Sequence, residues 1–76
     1  MISIYNCKHL TWLGQTSVAH YEFFADDVSD LPTTPESIEA LIGPNHKIAQ
    51  GSITWVISSA TPYMYDSEGN WVAQGS

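Results

Sequence analysis

Residues 51–74 read GSITWVISSATPYMYDSEGNWVAQ and hold two of the three Trp and two of the four Tyr in a chain of 76 residues. Within that stretch Asp66-Ser67-Glu68-Gly69-Asn70 has the chemistry of a tight hairpin: Asp opens a type I turn, and Gly, lacking a Cβ, takes the left-handed conformation of the bulge that follows. With Ser67, Glu68 and Gly69 as the loop, Tyr65 falls opposite Trp71, Met64 opposite Val72 and Tyr63 opposite Ala73. Tyr63, Tyr65 and Trp71 then share a face. Upstream, Ile53, Trp55 and Ile57 alternate with Ser52, Thr54, Val56 and Ser58, and a turn through residues 58–62 brings Trp55 beside Tyr65 on that same face. The stretch predicts a three-stranded antiparallel meander over 51–74 with an aromatic side made of Trp55, Tyr63, Tyr65 and Trp71.

Moving toward the N-terminus, residues 34–43 carry the marks of one short helix, centred on 35–42. Thr34 is the N-cap, Pro35 the first helical residue, Glu36 an acid in the first turn, and Gly43 then Pro44 the exit. Thr33 with Glu36 is an alternative capping register. Ile38, Leu41 and Ile42 form a narrow apolar stripe suited to one patch of a sheet. Residues 45–50 are a loop or short lead-in strand, and residues 25–33, ADDVSDLPT, read as an acidic, solvated connector that Pro32 keeps irregular. The first 24 residues suggest a second meander, with strands near 2–5, 10–13 and 18–24 and turns at Asn6-Cys7-Lys8-His9 and Gly14-Gln15-Thr16-Ser17.

The predicted architecture is therefore a single domain over 1–76, β-rich in the range from all-β to α+β. It is a small antiparallel sheet or sandwich of about five or six short strands with one short helix. A chain this short rarely draws more than about 3–5 kcal/mol from one core, so support from other chains is expected. Cys7 is the only cysteine, which excludes an intrachain disulfide. Lys8 and Lys47 are the only strong bases against eight carboxylates, a formal charge of −6. Without a Lys/Arg cluster to displace counterions, no nucleic-acid partner is expected. No apolar run nears the roughly 20 residues that cross a bilayer, and MISIYNCKHL lacks the basic head and apolar block of a secretory signal. The expectation is a protein made soluble, with no membrane partner.

Several residues invite chemical readings that the pattern does not sustain. Cys7, His9, His20 and His46 lack zinc spacing, so no metal is expected, and Cys7 has no base set beside it. Asp26, Asp27 and Asp30, or Asp66, Glu68 and Asn70, offer oxygen ligands, but neither run fits a calcium loop, and turn chemistry already explains the second. No phosphate cradle or nucleophile elbow occurs, and no catalytic residue or cofactor is predicted. The aromatic set Trp55, Tyr63, Tyr65 and Trp71 is the candidate site: a partner anchor, a platform for sugar rings, or plain core.

Tyr21-Glu22-Phe23-Phe24-Ala25-Asp26, Val28-Ser29-Asp30-Leu31-Pro32, Ala49-Gln50-Gly51-Ser52-Ile53 and the run from Tyr63 to Val72 together make a pattern, ADxVxDLP … GSxxxVI … YMYDSxGxWV. It resembles that of short virion-associated structural proteins of tailed bacteriophages, over residues 21–73. Where that group often has a Thr-Gly turn before the Tyr strand, this chain has Ser58-Ser59-Ala60-Thr61-Pro62. The resemblance implies a non-enzymatic component of a phage capsid or tail, packed in the virion against other virion proteins or copies of itself as an oligomer. A small phage-encoded inhibitor of a host defence protein and a carbohydrate-binding module using Trp55 and Trp71 are the rival readings.

Overall fold

The computed structural model describes residues 1–74. One six-stranded open sheet runs through the molecule, built from β1 (Ile2–Leu13), β2 (Thr16–Ala25), β3 (His46–Ile48), β4 (Ile53–Val56), β5 (Thr61–Tyr65) and β6 (Trp71–Ala73). The order is β1-β2-β4-β5-β6, with β3 placed beside the first half of β2 and β4 beside its second half. A single helix, α1 (Pro35–Ile42), lies on one side of this sheet.

The C-terminal meander forms in the register read from its turn. Tyr65 pairs with Trp71, Met64 with Val72 and Tyr63 with Ala73. Asp66 Oδ1 accepts from the amides of Glu68 (2.9 Å) and Asn70 (2.8 Å), which closes the loop, and Gly69 sits at φ +84°, a conformation that a side chain would strain. The helix also starts and stops as predicted. Thr34 Oγ1 accepts from Ser37 N at 3.1 Å and Ser37 Oγ accepts from Thr34 N at 2.9 Å, while Gly43 at φ 90° ends it.

The N-terminal half departs from the expected second meander. Asn6-Cys7-Lys8-His9 does not turn: β1 runs straight through it and pairs with β2 as one long hairpin, reversing only at Gly14-Gln15, where Gly14 takes φ +62°. The physical reason is that β1 is an edge strand in which polar side chains stay wet at no cost. Two bulges, between Ile4 and Asn6 and between His9 and Thr11, shift the side-chain phase and erase the alternation that marks a strand. A second departure is parallel pairing. After β2 the chain crosses through α1 and returns in the same direction, so β3 and β4 both run parallel to β2 in a sheet that is otherwise antiparallel.

The core lies between α1 and the sheet. On β2 the odd residues Ala19, Tyr21, Phe23 and Ala25 are buried, joined by Ile48, Val56 and Leu31, and Ile38, Leu41 and Ile42 of the helix pack on them. Phe23 is wholly enclosed, worth about 1.5–3 kcal/mol relative to exposure. The connector is wet only in part. Asp27 caps a single 3-10 turn (Val28–Asp30), but Leu31 and Pro32 beyond it are buried under the sheet's covered face. The Met1 amino group bonds Asp30 and lies 3.2 Å from Asp26, tying the start of β1 to this connector and holding the Asp30 carboxyl below its ordinary pKa.

Candidate functional site

Three of the four aromatic residues singled out by sequence, Tyr63, Tyr65 and Trp71, lie on one side of the sheet and pack, partly buried, against the core. Trp71 donates its indole N–H to the Pro32 carbonyl at 2.9 Å and sets its ring 4.8 Å from Tyr65 and 6.2 Å, edge to face, from Phe23. Tyr63 and Tyr65 pack on the same helix-covered side, and burial raises the Tyr65 phenol pKa. Trp55 does not join them. Val56 pairs with Thr61 and Trp55 with Pro62, so the turn is residues 57–60 rather than 58–62, and Thr54 and Val56 take the covered side instead. A register change of odd length moves every side chain of a strand to the other face. The turn closes with Ala60 N donating to Ile57 O at 3.2 Å and Ala60 at φ 52°, a conformation that sequence reading assigns to Gly or Asn.

Trp55 belongs to a different surface. On the side of the sheet away from α1, Tyr5, Phe24, Ile53, Trp55, Met64 and Val72 form a continuous apolar band from β1 to β6. Tyr5 meets Phe24 edge to face at 5.0 Å, Phe24 neighbours Trp55 across β2 and β4, and Ile53, Met64 and Val72 follow in register. Tyr5 is 66% exposed, Val72 45% and Trp55 42%, because among the described residues no element covers this side. Bands of this kind on soluble proteins mark places where something else packs. Its charges are few: Lys8 stands opposite His20, Lys47 opposite Val18 and Glu22 beside Ile53, all on this side by register. The remaining carboxylates lie on the connector, the helix and the β5–β6 turn.

Comparison with known proteins finds no matching family model, no matching curated protein and no matching solved structure.

The outer edge of β1 borders the same face. Tyr21 N donates to Ser52 Oγ and Ala19 O accepts from Ala49 N, so the odd residues of β2 turn their backbone groups away from β1. Their partners Ile4, Cys7, His9 and Trp12 therefore direct backbone groups outward from the sheet. The edge is partly blunted, since the outward Cys7 N–H is taken by Asn6 Oδ1 at 2.9 Å and Lys8 stands at mid-strand.

Elsewhere the polar groups are engaged in holding the fold. His9 Nδ1 lies 2.7 Å from Ser17 Oγ, His20 Nε2 lies 2.8 Å from Gly51 O, and His46 Nδ1 lies 2.8 Å from Pro44 O. The His9–Ser17 pair ties β1 to β2 with the serine buried, and no carboxylate bonds the other nitrogen of His9 among the described residues. Burial pushes the Tyr21 phenol up to about 12, and the Cys7 thiol beside it adds to the shift. An open notch of about 440 Å³ lies between β3 and the β5–β6 turn, with Lys47, Asp66 and Glu68 in its lining. Among the described residues no helix is long and apolar enough to cross a membrane, and no group of three His, Cys, Asp or Glu is placed to hold a metal ion.

Proposed function

We propose that this chain is a non-enzymatic assembly component that works by packing its open sheet face against protein. The observation that carries this reading is the band of Tyr5, Phe24, Trp55, Met64 and Val72 on a face that α1 leaves bare. Apolar side chains of this size gain free energy when covered, at about 25 cal/mol for each Å² removed from water, and Trp and Tyr dominate the energetics of such contacts. The sequence pattern over residues 21–73 suggests the setting, a capsid or tail of a tailed bacteriophage. Trp71 packs partly buried against the core with its indole N–H bonded to Pro32, on the opposite side of the sheet from Trp55, which weighs against a sugar platform built from those two rings.

Purified particles test the reading. Mass spectrometry should find the chain at a fixed copy number, Trp55→Glu should be excluded from particles, and Glu68→Lys, in the β5–β6 turn, should be incorporated normally. A chain absent from particles, or Trp55→Glu incorporated like the parent, overturns it.

A further inference from the structure

We propose that the occupant of the open face is a second copy of this chain, the two sheets stacking face to face as a symmetric pair. This rests on reading that face as a packing surface, and it names the partner. Charge gives the first reason. By strand register both lysines of the chain lie on this face with one carboxylate, Glu22, while Asp66 and Glu68 line the notch beside Lys47 at its border and the other five lie elsewhere, so two copies of a −6 molecule meet there through the least acidic part of each surface. A face shaped to recruit a basic partner would present the carboxylates that this one keeps away. A face holding both signs complements itself on rotation, with Lys8 or Lys47 of one copy able to approach Glu22 of the other.

Area gives the second reason. The molecule's two longer dimensions, 37 and 22 Å, set an upper bound on the order of 800 Å² for the face, so pairing that covers most of it approaches the share each partner brings to a standard interface. Two such sheets stacked about 10 Å apart would convert a one-sided, helix-backed sheet into a layered sandwich with a second core. The β1 edge is the weaker route to the same stoichiometry, because Lys8 would meet its own copy near the middle of the strand.

Sedimentation velocity of the purified full chain at micromolar concentration tests this. A dimer is expected, and Trp55→Glu and Met64→Lys, made separately, should each raise the dimer dissociation constant about tenfold or more while the far-UV circular dichroism stays that of the parent. Two variants are used so that misfolding of one does not decide the matter, and Glu39→Gln, exposed on the helix side of the sheet, should leave face-to-face pairing intact. A parent chain that stays monomeric at its highest soluble concentration, or a dimer that survives both substitutions, overturns the proposal. A monomer that still enters particles through Trp55 removes self-pairing alone. A Trp55-dependent dimer that never enters a particle removes the virion reading alone.

Discussion

Thr54 is wholly buried on the covered side between Phe23 of β2 and Tyr63 of β5, and among the described residues its hydroxyl has no hydrogen-bond partner. A buried hydroxyl without a hydrogen bond carries its desolvation cost uncompensated, so Thr54→Val, which keeps the branched shape, should stabilise the fold by about 1–2 kcal/mol. Thermal melts check it, and a lower melting temperature would mean that the hydroxyl is bonded in solution. Tyr21 makes a second test at this scale. Its phenol is raised chiefly by burial and secondarily by Cys7, so its neutral form contributes stability that is intact below the ordinary phenol value of about 10 and is lost as pH rises through about 12. Absorbance titration of Cys7→Ser should move the Tyr21 midpoint down, yet leave it above the ordinary value, because burial persists. An unchanged midpoint would show that thiol and phenol are not in contact. Residue chemistry was legible where one side chain dictates a backbone conformation, as at Gly69, Thr34 and Gly43. It was not legible at Ala60, which holds a positive φ that its side chain does not favour, and the misplacement of Trp55 follows from that turn.

Elements differ in how plainly they announce themselves. The β5–β6 hairpin and α1 could be read because their ends carry turn and cap residues and their interiors keep one periodicity. The long strand β1 could not, since its bulges break the period and its polar middle imitates a loop. The same middle has a use. Outward backbone groups on Ile4, Cys7, His9 and Trp12 form a template for another strand, and Lys8 together with the Asn6 cap on the Cys7 amide discourages its occupation. Lys8→Val should therefore leave the unfolding free energy within about 0.5 kcal/mol of the parent while promoting edge-to-edge growth into larger, thioflavin-positive species on incubation. Light scattering and dye fluorescence read this out. If Lys8→Val remains as soluble and as small as the parent, the lysine does not guard the edge.

At the scale of the molecule the limiting fact is the thinness of the core. Three of its eight buried hydrophobic residues are Ala, and Phe23 is the largest side chain fully enclosed. Composition showed that a chain of this length was short of burial, but not which face would remain bare. That was decided by the crossover through α1, which makes β3 and β4 parallel to β2 and commits one side of the sheet to the helix. A pairing that only tertiary structure sets leaves little trace in local pattern. If the bare side is closed by a second copy, folding and association are one equilibrium, and stability must depend on protein concentration by mass action. Raising the concentration tenfold should raise the parent's melting temperature by about 3–6 °C, given the steepness of unfolding for a domain of this size. Trp55→Glu, which removes the contact without touching the covered core, should melt at a temperature that concentration does not move. A parent melting curve indifferent to concentration would place all of the stability in the single chain, and the band from Tyr5 to Val72 would then be an exposed surface that the fold tolerates without help.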